Sequence, residues 1–186
     1  VASGEPGTSR CSLYITSNGG LVEAVGRFLE AFQGSRYSRD RRIAFSFSID
    51  DFAEEHDRKR GVPGLFSRAL ESHHEVRRAA TANAMANIGI TVTDHNHQNV
   101  VALYEHLKSE HGVRAVTATL MREAGVVRRL APEVKARILS AYVELSRRIA
   151  EDMASGRLQG FVGGLQGRLM NAKQQIMQTI LQRTYL

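Results

Sequence analysis

The sequence has almost no cysteine: Cys11 is the only one in 186 residues. A single thiol excludes an internal disulfide. It also excludes a thiolate cage for zinc or an iron–sulfur cluster built from this chain alone. Long apolar runs are missing too. No stretch approaches the ~20 residues a membrane-spanning helix needs, and no signal-peptide pattern opens the chain. A soluble, cytoplasmic protein that does not enter the membrane is the expectation.

Nor does the chain carry a stripe of one charge. Lysine and arginine number 25 against 19 acidic residues, a net charge of +6. The basic residues fall in scattered pairs (Arg41-Arg42, Arg77-Arg78, Arg128-Arg129, Arg147-Arg148) without interleaved aromatics. That pattern is a solvated surface rather than a nucleic-acid face. The glycine-rich stretch over residues 156–167 precedes no strand–helix turn, so it reads as a loop and not as a phosphate cradle. The run Asp94-His95-Asn96-His97 finds no third ligand at helical or strand spacing, and no metal site is expected there. His73, His74 and His106 fall on helical segments and read as surface or packing residues. No local signature of a Ser-His-Asp or Cys-His nucleophile is present.

What the chain does have is one well-patterned centre, Ile43 to Gly61. Ile43, Phe45, Phe47 and Ile49 alternate with Ala44, Ser46, Ser48 and Asp50, a period of two that predicts a strand. Its polar side is small, hydroxylic and ends in a carboxylate. Such a side suits the interior of a parallel barrel whose outer face is covered by helices and whose chemistry sits at the strands' C-terminal ends. The acidic-basic run Asp51 to Arg60 then reads as a loop on that rim. A second strand repeats the pattern, with Ala84, Ala86, Ile88, Ile90 and Val92 opposite Asn87, Gly89, Thr91 and Thr93.

Other elements follow at intervals of roughly thirty residues, the spacing of βαβ units. Leu13 to Ile15 is a short strand ended by the turn residues Thr16 to Gly20. Leu21, Val25, Phe28, Leu29 and Phe32 mark a helix that Gly34 closes. Pro63 and Gly64 precede a helix carrying Phe66, Leu70 and His73. Asp94 or Asn96 is placed to cap a helix with the stripe Val100, Leu103, Tyr104 and Leu107, ended by Gly112. Val113 to Met121 predicts a fourth strand. Pro132 can start a long helix with Val134, Ile138, Tyr142, Leu145 and Ile149 on one side. A last helix carries Leu169, Ala172, Ile176, Ile180 and Leu181. With only four strands visible, the first and last are expected to be open edges.

In order along the chain, Ser3-Gly4-Glu5-Pro6, Ile15-Thr16-Ser17-Asn18-Gly19, Ser46-Phe47-Ser48-Ile49-Asp50 and His56-Asp57-Arg58-Lys59-Arg60-Gly61 resemble the radical S-adenosylmethionine (radical SAM) enzymes. Pro63-Gly64-Leu65-Phe66 and Ile90-Thr91-Val92-Thr93 through Asn96 continue the match, which covers residues 3 to about 121. More loosely, residues 167–185 resemble the segment leading into the cysteine-rich C-terminal region of peptide-modifying members.

The resemblance implies an α/β fold, a partial TIM-like (β/α) barrel of the radical SAM type over residues 1–125. A helical C-terminal extension over 126–186 would follow it. It implies reductive cleavage of S-adenosylmethionine at a [4Fe–4S] cluster, giving a radical that modifies a substrate, with a peptide as one candidate. By that resemblance Gly4, Glu5 and Pro6 meet the methionine amino group, and Thr16 and Asn18 lie at the strand end near the cofactor. Ser48 and Asp50 contact its ribose or carboxylate end, and Thr93 joins from the next strand. The family's three-cysteine motif is not among these residues, so the cluster is not expected in this chain and the fragment by itself is expected to be inactive. The alternative is a non-catalytic binding or scaffold module that kept the barrel and lost the cluster. A third reading is another barrel enzyme acting on a phosphorylated small molecule.

Overall fold

Four stretches of period-two sequence become four strands: β1 (Ser12–Ser17), β2 (Arg42–Ser48), β3 (Ala84–Val92) and β4 (Val116–Leu120). They form one parallel sheet in the order β1-β2-β3-β4. A computed structural model describes residues 12–39, 41–79, 83–121, 127 and 129–158. Five helices occur among them: α1 (Val22–Gly34), α2 (Ala53–Arg60), α3 (Leu65–Arg78), α4 (Val100–Ser109) and α5 (Pro132–Ala154). Parallel neighbours need a crossover, and a helix supplies each one here.

The sheet's two faces follow the sequence alternation. Phe45 aligns with Ala86 and Phe47 with Ile88, while Ser46 aligns with Asn87 and Ser48 with Gly89. Thr91 aligns with Thr119 one strand further on. The expected orientation therefore holds without a register slip, which would have exchanged the two faces. On the helical side Phe45 and Phe47 stack with centroids 5.8 Å apart, and Phe28 of α1 meets Phe45 edge-on. Phe47, Ile49, Ile88, Ile90 and Val92 are fully enclosed in one hydrophobic cluster with Leu29, Ala69 and Leu103 of the covering helices. Burying each such side chain contributes about 1.5–3 kcal/mol, so this face drives the fold.

On the other face the polar side chains pair with one another. Asn87 Nδ2 donates to Ser46 Oγ and Thr117 Oγ1, both at 3.0 Å, and the hydroxyls of Thr91 and Thr119 lie 3.3 Å apart. Gly89 keeps this row tight, because a Cβ there would lie 3.1 Å from Ser46 Oγ.

The long helix α5 begins at Pro132, where the missing N–H costs nothing. It buries Ile138, Tyr142, Leu145 and Ile149 in the same cluster as the sheet and packs against α4 and β4. Near its end the buried Asp152 accepts hydrogen bonds from Tyr104 of α4, from Lys108 at 2.6 Å and from Arg157 at 2.6 Å. Desolvation opposes ionisation of Asp152, but these three donors hold its carboxyl well below the usual carboxylate range. Tyr104 therefore serves two purposes: its ring belongs to the apolar stripe, and its hydroxyl ties two helices together.

Several expectations need correction. The run after β2 is not a loop, since Ala53–Arg60 is the helix α2, closed by Gly61 at φ 65°. Neither Asp94 nor Asn96 caps α4 with its side chain, and α4 starts from Asn99 without a side-chain cap. That helix ends at Ser109, and Gly112 (φ 59°) turns the chain beyond it. The fourth strand is shorter than 113–121, spanning only Val116–Leu120. Leu21 is 74% exposed and belongs to no core. Cys11, most of the glycine-rich stretch and the last helix lie outside the described residues.

Among the described residues β1 pairs only with β2 and β4 only with β3, so the sheet they form is open at both edges. Leu13 and Tyr14 of β1 are each about half exposed. No helix among the described residues is long and apolar enough to cross a membrane.

The turn after β1 sits directly on α3. Gly19 has φ 73°, and a Cβ there would lie 2.6 Å from the Cα of Ala69. Ser72 Oγ holds the same glycine by donating to its carbonyl at 2.8 Å. Gly19→Ala combines a left-handed backbone with a backbone clash and is expected to cost about 2–3 kcal/mol, read as a lower urea midpoint at unchanged slope. An unchanged midpoint would mean that this turn and α3 are not packed together.

Candidate functional site

The C-terminal ends of β2 and β3 meet in a knot of polar groups, and its centre is Asn96. Asn96 is 2% exposed. Its Nδ2 donates to the carbonyls of Asp50 at 2.7 Å and Thr91 at 2.8 Å. Its Oδ1 accepts from the Thr93 backbone N–H at 2.7 Å and from Thr93 Oγ1 at 3.1 Å. The carboxamide thus uses both donors and its acceptor to join the two strand ends to the turn after β3.

Asp50 extends the knot. Its Oδ1 accepts the Thr91 N–H at 2.8 Å, and its Oδ2 pairs with Arg60 at the end of α2. The backbone N–H of Asp50 donates to His56 Nδ1 at 3.4 Å. His56 is 1% exposed, and burial holds its proton affinity below the ordinary histidine value. A ring that accepts at Nδ1 while enclosed by protein is a neutral imidazole.

Asp51, 1% exposed, anchors the start of α2. It pairs with Lys59 Nζ at 2.8 Å and accepts Asn99 Nδ2 at 3.3 Å. Lys59 also donates to the His95 carbonyl at 3.2 Å. Asp57 faces the other way and accepts the N–H of Phe66 at 2.8 Å and that of Gly64. Those hydrogen bonds, led by Phe66, lower its pKa, and they supply the start of α3 with the side-chain acceptor its N-terminal residue Gly64 lacks. The charged run of α2 is therefore oriented residue by residue: Asp57 caps α3, while Lys59 and Arg60 clamp the strand ends.

The residues named from the sequence fall at this end of the sheet. Thr16 is the penultimate residue of β1, Asn18 lies one residue past the strand, Ser48 ends β2, and Asp50 and Thr93 stand just beyond β2 and β3. Their surroundings differ. Thr16 and Asn18 are exposed, and Asn18 Oδ1 accepts the Gly20 N–H at 3.1 Å. Ser48 is half-buried, and its hydroxyl has no hydrogen-bond partner among the described residues. Asp50 and Thr93 are committed to the knot. Gly4, Glu5 and Pro6 lie outside the described residues.

The residues that join this end together, His56, Asn96 and Lys59, carried no periodic signal. The signals available were their places in the runs His56 to Gly61 and Ile90 to Asn96 that carry the resemblance and, for Asn96, the short polar pair Thr93-x-x-Asn96 directly after a strand.

An exposed and half-buried rim of hydroxyls and amides beside cationic side chains suits a polar, zwitterionic small molecule at the strands' C-terminal ends. Against known proteins, no family model and no curated protein matches the sequence. Among solved structures the chain is similar to native anSMEcpe with bound AdoMet and Kp18Cys peptide. The TM-score is 0.52 at 16% identity, covering 78% of this chain and 38% of that one. It is also similar to a hexahistidine-tagged form of anSMEcpe with bound AdoMet, with a TM-score of 0.52, 18% identity and the same coverages of 78% and 38%. Similarity at this identity shows a shared fold. The chain spans 38% of the length of these neighbours.

Proposed function

We propose that this chain is the central β/α part of a radical SAM enzyme that modifies a peptide. Residues 1–125 would be the partial barrel and 126–186 a helical extension. The observation that carries the reading is the agreement of two independent lines on one family. The ordered sequence resemblance converges on the C-terminal ends of β1, β2 and β3, and the fold neighbours are proteins described with bound AdoMet, one of them with a peptide as well.

S-adenosylmethionine fits the residues present. Ser48 and Thr16 offer hydroxyls at the sheet's end for a ribose or a carboxylate. Asp50, Asn96 and Thr93 keep the strand ends at fixed separation, which is a positioning role. Gly4, Glu5, Pro6 and Asn18 complete the proposed cofactor contacts. A [4Fe–4S] cluster does not fit this chain alone, because three thiolates are needed and Cys11 is the only one. The cluster's ligands would have to come from outside these 186 residues. The lone cysteine is also what favours the second reading, a binding module that retains the cofactor rim without the chemistry.

Calorimetric titration of S-adenosylmethionine into the 186-residue chain tests the shared part of both readings. Saturable binding is expected, weakened by about tenfold in Ser48→Ala, the loss of one or two hydrogen bonds. Absence of binding, or equal affinity in Ser48→Ala and Thr16→Val, sinks the site assignment. The coding sequence upstream of Val1 separates the two readings, since a cysteine triplet there supports the enzyme.

A further inference from the structure

Outside the strand-end site, histidines collect at the corner where α3, α4 and the turn after α4 meet. His106 lies on α4 and His111 two residues past its end, and their Nε2 atoms are 3.3 Å apart. Their rings are nearly perpendicular, at 85°, with centroids separated by 4.9 Å. Phe52 flanks His106 at 5.5 Å, and Phe66 flanks His111 at 6.0 Å. Both imidazoles are half-buried, so the aromatic rings wall one side while solvent reaches the other.

We propose that His106 and His111 form a binding site for a divalent transition-metal ion. The geometry carries this. Two nitrogens each about 2.0–2.1 Å from a tetrahedral ion lie about 3.3 Å from one another, and the Nε2 atoms already stand at that separation. Two imidazoles that turn the same ring nitrogen toward each other have two ways to be satisfied. One nitrogen donates to the other, or both direct lone pairs at a shared cation.

Imidazole donors suit Zn²⁺, Ni²⁺ and Cu²⁺, with Cu²⁺ bound tightest, and disfavour Mg²⁺ and Ca²⁺. Among the described residues no group of three or more His, Cys, Asp or Glu is placed to hold a metal. The site is therefore a two-imidazole one whose other positions go to water or to a ligand's own donor atom.

The test is calorimetric titration of the full chain with Zn²⁺ or Ni²⁺ salts in a non-chelating buffer at pH 7.5, with thermal melts in parallel. One ion per chain is expected, and a hundredfold excess over the dissociation constant should raise the melting temperature by about 5–10 °C. His106→Gln and His111→Gln should each weaken binding at least about tenfold, since a chelate becomes a single bond. Because a substitution at this corner can disturb packing, the unmodified protein gives a second measurement. Zn²⁺ should protect His106 and His111 together from diethyl pyrocarbonate, with Mg²⁺ protecting neither. Absence of one-to-one binding, or equal modification of both histidines with and without Zn²⁺, overturns the proposal.

Discussion

Asn96→Ala is expected to destabilise the protein by about 3–5 kcal/mol and lower its melting temperature by roughly 10 °C. Removing the carboxamide deletes four contacts at once: the donations to the Asp50 and Thr91 carbonyls and the two hydrogen bonds received from Thr93. At 2% exposure water cannot replace them freely, so three backbone groups lose their partner in an enclosed space. The net worth of four good hydrogen bonds would be modest. Leaving buried groups unsatisfied is what makes the loss large. Asn96→Asp separates the two halves of the role. It keeps the acceptor for Thr93, loses both donors, and places a second carboxylate near Asp50, so it should be at least as damaging as alanine. Chemical denaturation of both variants decides the matter. A loss below about 1 kcal/mol in each would mean that the strand ends are held by Arg60 and Lys59 alone and that Asn96 is incidental.

The difference between Asn96 and Phe47 explains how much could be read in advance. Phe47 announced itself by period: it sits in an alternation of large apolar and small polar residues, and the hydrophobic effect requires that one side of such a strand be covered. The strands and the facing of Ser46 toward Asn87 followed from that rule, and their parallel arrangement from the strand–helix spacing of roughly thirty residues. That rule does not reach as far as a barrel, because the number of strands in a sheet is not set by the pattern within any one of them. The four described here form an open sheet.

Asn96 obeys no period. A short polar residue in a turn can cap a helix, brace a strand end or face solvent with equal local plausibility, and only the fold decides among these. The same holds for α2. Its eight residues carry no apolar stripe, and a free peptide of that length would not be helical. Side chains flanking and within it hold it instead: Lys59 to Asp51, Arg60 to Asp50 and Asp57 to the Phe66 N–H nearby in the chain, and Lys59 to the His95 carbonyl and Asp51 to Asn99 further away. The rim residues could be placed along the chain because strand ends are legible. Their division into exposed hydroxyls at Thr16 and Ser48 and committed groups at Asp50 and Thr93 was not, since it depends on partners across strands.

His73 supplies the other large effect, an acid-labile core. It lies in the middle of α3 at 0% exposure, with no hydrogen-bond partner for either ring nitrogen. Burial pushes its pKa down to about 3, and the neighbouring His74 and Arg77 push in the same direction. In the unfolded chain the same imidazole titrates near 6.5. Below that pH the unfolded state therefore binds a proton that the folded state refuses, and stability falls as pH falls. The contribution is intact above about pH 6.5, declines by about 1.4 kcal/mol per pH unit, and is exhausted near pH 3, a total on the order of 5 kcal/mol.

His56, also lowered mainly by burial, acts in the same direction. Carboxylates such as Asp152 lose their contribution over an overlapping acid range, so the total curve cannot isolate His73, but a substitution can. His73→Leu keeps the ring's approximate volume without a basic nitrogen. At pH 7 it should be neutral or slightly stabilising, because no hydrogen bond is lost and two unsatisfied polar atoms are removed. At pH 4.5 it should exceed the wild type by a further ~2.7 kcal/mol, two units of avoided protonation. Urea unfolding of both proteins between pH 4.5 and 8 gives the comparison directly. Parallel curves across that range would show that His73 reaches a proton acceptor or water in the folded state, and the core around α3 would then be wetter than its geometry says.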